Sequence, residues 1–127
     1  MPLIVDIVED DDAVRDSLCA LLEAYGHTAR GYASAALYLN RAAAPGQCLI
    51  VDLHMPEMTG LELLETLRSQ DVRVPALIMT GRHDPSLEPR IARAGVVKLL
   101  HKPIQDEQLF GSIEQACAGN AHEYPAI

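Results

Sequence analysis

The sequence predicts an α/β fold, a doubly wound (βα)5 unit built on a parallel five-stranded sheet. Three observations predict it. Short runs rich in Val, Ile and Leu alternate five times with segments of helical period. Those runs lack the polar alternation of a sheet with one wet face, so both faces are covered, as in a parallel sheet. The chain has 127 residues and is 49% hydrophobic, which suits one domain with a real core and is too apolar for disorder. Right-handed crossovers then distribute the helices over both faces.

The elements follow in order. Residues 3–8 form the first strand. Residues 13–25 place Val14, Leu18, Leu21, Leu22 and Tyr25 at spacings of three and four, an amphipathic helix that Gly26 closes. Residues 27–32 are a weaker second strand. Ser34 caps a short helix expected to reach about Ala43, before "APGQ" at 44–47 breaks the chain. "CLIVD", from Cys48 to Asp52, is a strongly buried strand. Thr59 and Gly60 open a helix carrying Leu63, Leu64 and Leu67. Residues 74–79 are the fourth strand, with Pro75 at its entry, where a missing N–H is tolerable. Pro89 fits a helix only near its start, so the fourth helix begins near Glu88 and is short, leaving 82–87 as a mobile loop. Residues 96–100 are the fifth strand after Gly95. Asp106 caps a last helix with Leu109, Phe110, Ile113, Ala116 and Cys117 on one side. Residues 1–118 make the domain, and 119–127, "GNAHEYPAI", are a tail or the start of a linker.

Ten basic against eighteen acidic side chains leave a net charge of -8, which argues against this domain gripping nucleic acid and favours cationic partners. Cys19, Cys48 and Cys117 have no zinc spacing and read as buried, reduced side chains of a reducing compartment. His27, His83, His101 and His122 have no ligand spacing either and read as surface or loop residues. Tyr25, Tyr32 and Tyr38 read as packing residues. The start lacks the pattern of a signal peptide, and no run of ~18 apolar residues crosses a membrane, so the expected location is cytoplasmic.

Ligands of an open parallel sheet collect at the carboxyl ends of its strands. There the chain places Glu9 and Asp10, then Asp52, then Thr80, then Lys102. Two carboxylates at 4 Å repel by roughly 4 kcal/mol at an effective dielectric of 20, so three of them call for a counter-ion. A hard divalent cation, Mg²⁺ with Mn²⁺ as a substitute, suits all-oxygen ligands. Beside it Asp52 is the candidate nucleophile for a phosphoryl group, with Thr80 and Lys102 as partners of the phosphoryl oxygens. Asp11 and Asp12 read as caps of the first helix and favour its positive end.

The motifs "VEDDDAVR" (8–15), "VDLHMPEMTGLELL" (51–64), "MTGR" (79–82), "AGVVKLL" (94–100) and "HKP" (101–103) occur in this order, and with them the chain resembles the receiver domain of two-component response regulators, the CheY-like fold. The wording around Asp52 and Thr80 is most similar to receivers joined to helix-turn-helix DNA-binding domains. The resemblance implies the flavodoxin-like strand order 2-1-3-4-5. It implies a metal site of Glu9, Asp10, Asp52 and the backbone carbonyl of His54, with Asp52 taking phosphate from a histidine kinase or phosphotransfer protein. Thr80 is then the switch hydroxyl, Lys102 the phosphoryl contact, and Pro103 follows a cis peptide. Such a domain is no enzyme beyond its own phosphorylation and slow autodephosphorylation. It hands its signal to an output domain or effector, or to a phosphorylation-dependent dimer. Glu9 stands where many members carry Asp. Leu99 stands where an aromatic often rotates inward, and leucine offers no such flip. His54 and Arg82, two residues past Asp52 and Thr80, are expected to tune the lifetime of the acyl phosphate. Two other readings remain: a degenerate receiver that signals without phosphate, and a haloacid-dehalogenase-type phosphohydrolase. The latter needs a second Asp where this chain has His54.

Overall fold

Each apolar run becomes a strand: β1 (Ile4–Val8), β2 (Thr28–Tyr32), β3 (Cys48–Asp52), β4 (Ala76–Thr80) and β5 (Val96–His101). The structure, a computed structural model, describes residues 2–118, so the expected tail lies outside the described residues. All strand pairs are parallel, in the order β2-β1-β3-β4-β5. All five residues of β3 and of β4 are buried, which is why neither run alternates with polar residues.

Successive residues along each strand feed opposite faces. Leu49 and Val51 join Val8, Ile78, Leu61, Leu64 and Tyr38 in one core cluster. Cys48 and Ile50 join Val5, Leu77, Leu22, Leu109 and Ile113 in the other. Helices α2 (Ala35–Leu39), α3 (Gly60–Ser69) and α4 (Glu88–Arg93) cover the first face, and α1 (Asp12–Ala24) and α5 (Asp106–Ala118) the second. Burying one such Leu or Ile stabilises by roughly 1.5–3 kcal/mol, so the two clusters carry the fold.

The helix starts are written in the side chains. Asp11 accepts from the Val14 N–H and Ser34 from the Leu37 N–H. Thr59 and Glu62 form a reciprocal capping box at the start of α3. Gly26, at φ +92°, turns the chain out of α1 in the left-handed region.

Several expectations need correction. The second helix stops at Leu39, not near Ala43, because Arg41 folds back, lays its guanidinium 4.2 Å above the Tyr38 ring and donates to the Tyr38 carbonyl. Segment 82–87 is not all loop: Pro85–Leu87 form a 3-10 turn capped by Asp84 and run straight into α4. Pro89 sits in the first turn of α4, where no partner is lost. Asp106 is the first helical residue of α5 rather than its cap, since Gln105 already accepts from the Leu109 N–H. The apolar face of α1 is only half covered: Leu22 is buried, while Tyr25 is 60% exposed and stacks on Phe110. His27 is half-buried, its Nδ1 accepting from the Leu3 N–H. Of the three cysteines, only Cys48 is fully buried; Cys19 and Cys117 are half-buried, and none is in a disulfide.

Candidate functional site

Register brings the chemistry to one rim. β1 pairs Val8 with Val51, so Glu9 follows β1 just as Asp52 ends β3. β3 pairs Asp52 with Met79, and β4 pairs Thr80 with His101, the neighbour of Lys102. The Lys102 N–H donates to the Thr80 carbonyl at 2.8 Å, which ties the fifth strand's exit to the fourth. The Lys102–Pro103 peptide is cis.

Glu9, Asp10 and Asp52 each offer a carboxylate oxygen, and these atoms lie within 4.8 Å of one another. Glu9 is 1% exposed and Asp52 5%, while Asp10 faces solvent. Glu9 is held at both oxygens: Oε2 accepts from the Asp11 N–H at 3.1 Å and Oε1 from Lys102 Nζ at 3.0 Å. Asp52 Oδ2 lies 3.5 Å from the same ammonium, and Oδ1 accepts from the His54 N–H at 3.3 Å. Burial pulls Lys102 down, but the hydrogen bond to Glu9 and the charges of Asp52 and Glu9 outweigh it and hold the ammonium above its ordinary pKa. Partial desolvation, then the hydrogen bond with Glu9, pushes Asp10 above the usual carboxylate range. Three acids and one ammonium thus share a hollow that still lacks positive charge. An all-oxygen, mixed buried and exposed donor set fits a hard divalent cation with water on its open side.

Thr80 is 1% exposed, and its hydroxyl is engaged away from the acids. It donates to the Arg82 carbonyl at 2.8 Å and accepts from the Arg82 N–H at 3.1 Å, which ties the loop after β4 to the end of the strand. The Arg82 side chain is exposed. His54 is half-buried, and its Nε2 has no hydrogen-bond partner among the described residues. Leu99 is half-buried against the first core cluster.

Gly60 and Arg15 support the site in ways the sequence did not reveal, and one further buried acid, Asp6, lies apart from it. Gly60 donates its N–H to the Leu53 carbonyl at 3.1 Å, and a Cβ there would fall onto the Asp52 carbonyl. A glycine at the first position of a helix, where better helix formers are available, is the signal that marks such a close approach. Arg15 donates to the Glu9 carbonyl at 2.8 Å and to Asp12 at 2.6 Å, bracing the acidic turn. Asp6, fully buried in β1, is a fourth acid that stays out of the site: Arg30 Nε reaches it at 2.7 Å, and the Gly46 N–H donates to it at 2.8 Å. A groove of about 600 Å³ adjoins the rim, lined by Val14, Leu18, Leu21, Met79, Ile104 and Lys102 among others.

Known proteins resemble this chain in sequence and fold. The profile of the response regulator receiver domain family matches residues 5–114. The transcriptional regulatory protein FixJ of Azorhizobium caulinodans is 32% identical over 120 residues, covering 94% of this chain and 57% of that protein. FixJ of Bradyrhizobium diazoefficiens is 37% identical over 113 residues, covering 87% and 54%. The response regulator protein TodT of Pseudomonas putida is 33% identical over 115 residues, covering 89% and 50%. The chain therefore spans about half the length of these relatives. Among solved structures, FixJ-N superposes with a TM-score of 0.83 at 31% identity, covering 94% of this chain and 97% of that one. The response regulator StyR superposes at 0.84 with 32% identity, covering 97% and 63%.

Proposed function

The chain belongs to the response regulator receiver domains of two-component signalling, and from that premise we propose that Asp52 accepts a phosphoryl group from a histidine kinase or phosphotransfer protein in a Mg²⁺-dependent reaction. The observation that carries this reading is the junction at Asp52: a nearly buried carboxylate, with an ammonium at 3.5 Å and two further acids within cation-sharing distance.

Glu9, Asp10, Asp52 and the backbone carbonyl of His54 would hold the cation. Mg²⁺, or Mn²⁺ in its place, supplies the positive charge that lets a phosphate dianion approach a carboxylate. The chain's own residues do the rest. An Asp52 carboxylate oxygen attacks phosphorus, the bond to the donor's leaving group breaks, and the product is an aspartyl phosphate. Lys102, already between Glu9 and Asp52, moves its ammonium onto a phosphoryl oxygen. Thr80 exchanges its bond to the Arg82 carbonyl for one to the phosphoryl group, and the loop after β4 follows. His54 and Arg82 flank the acyl phosphate and set how readily water hydrolyses it. Beyond its own phosphorylation and slow dephosphorylation the domain catalyses nothing.

Residues 1–118 are the receiver, and 119–127 are a tail or the start of a linker. That the matched relatives are about twice as long supports this reading, and the FixJ relatives, named as transcriptional regulators, point to an output acting on transcription. The rearranged α4-side surface would then meet an output domain, an effector or a second copy. The apolar groove beside Lys102 suits the donor protein. A cytoplasmic location accords with the absence, among the described residues, of any helix long and apolar enough to cross a membrane.

The test is incubation with acetyl phosphate and Mg²⁺ followed by intact mass. A gain of one phosphoryl group, lost in Asp52→Asn and with chelator, is the expected result. No gain in the parent overturns the reading and leaves the phosphate-independent receiver; steady turnover of a phosphomonoester would instead revive the phosphohydrolase.

A further inference from the structure

At the end of β3 opposite Asp52, two thiols meet. Cys48 opens the strand and is fully buried; Cys117 sits in the last turn of α5, half-buried. They are far apart in sequence, yet Cys117 packs against the core cluster that holds Cys48, and the two thiols are electrostatic neighbours. Cys117 Sγ also lies 3.8 Å from the carbonyl of Gln47, the neighbour of Cys48. Cys48 is a member of the core cluster between the sheet and α5, and the half-buried Cys117 lies at its margin.

We propose that Cys48 and Cys117 are a redox modification site, forming a reversible intramolecular disulfide when the protein meets a hydroperoxide. The two positions differ as an attacking and a resolving thiol should. The neighbouring Cys48 thiol draws Cys117 down to about 7 against the opposing effect of burial. Cys117 in turn, with burial added, drives Cys48 well up, so it stays protonated. Cys19 is the internal contrast: burial, then the nearby Glu23 and Asp16 carboxylates, raises it.

The steps balance. The Cys117 thiolate attacks the outer peroxide oxygen; the O–O bond breaks, a proton is taken up, and the products are a sulfenic acid and an alcohol, or water from hydrogen peroxide. The Cys48 sulfur then displaces hydroxide from the sulfenic acid and loses its proton, releasing water. Two electrons pass from the thiols to the peroxide. Reaching the S–S length of about 2.05 Å asks for side-chain closure between groups that share one packing cluster. The bond fastens the last turn of α5 to the central strand, at the end of the sheet away from the acids. A dithiol reverses it, as a redox-sensing rather than a structural bridge requires.

The experiment treats the full chain with hydrogen peroxide and maps peptides without reduction. The expected product has lost two hydrogens, links the peptide of Cys48 to that of Cys117, leaves Cys19 alkylatable, and reverts with dithiothreitol. In Cys48→Ala, Cys117 accumulates as a sulfenic acid that dimedone traps; in Cys117→Ser, no crosslink forms. In the untreated parent at pH 7, iodoacetamide alkylates Cys117 about tenfold faster than Cys19, the gain in thiolate being partly offset by weaker nucleophilicity. Because the parent carries the decisive readouts, misfolding of Cys48→Ala would not shield the proposal. A crosslink through Cys19, a disulfide between two molecules, or intact thiols at a peroxide dose that oxidises a free-thiol peptide would overturn it.

Discussion

Lys102 Nζ stands between two acids, 3.0 Å from Glu9 Oε1 and 3.5 Å from Asp52 Oδ2, and so couples the turn after β1 to the end of β3. Without a cation it is the only positive side chain that the described residues place against both acids. With a phosphoryl group on Asp52 it has a stronger partner. One side chain thereby reports which state the site is in.

Removing that ammonium strands Glu9 and Asp52 as unpaired buried charges. Lys102→Met should therefore cost about 2 kcal/mol in urea unfolding at pH 7 without metal, below the figure for a fully buried pair because the lysine keeps some water contact. Lys102 has a raised folded pKa, so its contribution is complete below its ordinary value of 10.5 and is lost as pH rises through the folded one. The gap between parent and variant should narrow above pH 10.5. A gap that is absent at pH 7 would deny the pairing.

Asp10 behaves in the opposite way. A carboxyl whose folded pKa is raised above 3.8 contributes stability below that value and loses it as pH rises through the folded pKa. At pH 7 its charge opposes Glu9 and Asp52. Asp10→Asn should raise the melting temperature of the metal-free protein and abolish the gain that the parent shows with millimolar Mg²⁺. For the parent that gain is about 2.7 kcal/mol at a hundredfold excess over Kd. Identical magnesium responses in parent and variant would remove Asp10 from the cation site.

Gly60→Ala probes the scaffold rather than the charges. The new Cβ meets the Asp52 carbonyl, which is backbone and cannot rotate away. A loss of about 1–3 kcal/mol is expected, as for overpacking elsewhere, together with slower phosphorylation by acetyl phosphate as the strand end shifts. Full stability and full rate in the variant would refute the close approach.

Glu65 and Arg90 join α3 to α4 through two hydrogen bonds at 3.0 and 2.7 Å. The Arg90 side chain, first through its hydrogen bond, holds Glu65 below its ordinary value of 4.5, so the pair's contribution is present above pH 4.5 and lost as pH falls through the lowered pKa. Both side chains are more than 40% exposed, so solvent screens most of it. Glu65→Gln should cost little at pH 7, less in high salt, and nothing once Glu65 is protonated. A large loss that salt does not change would point to packing instead.

The fold was legible because its signals are local. Runs such as "CLIVD" carry no polar alternation, and Asp11, Ser34 and Thr59 sit one residue ahead of helical periods. The site was legible because each of its side chains lies at or just past a strand end, and parallel register does the gathering. What escaped was decided across the fold. The early stop of α2 depends on Arg41 finding the Tyr38 ring. The pairing of Asp6 with Arg30 needs β1 beside β2. The meeting of Cys48 with Cys117 depends on α5 packing on the sheet, which no spacing encodes.

The central claim is that Asp52 itself carries the phosphoryl group. Borohydride reduces an acyl phosphate to an alcohol, turning a phosphorylated aspartate into homoserine. Treating the acetyl phosphate and Mg²⁺ product with borohydride and sequencing the peptide that spans β3 should find homoserine at position 52 and nowhere else. Aspartate left intact there, with phosphate recovered on His54 or another side chain, would contradict the account.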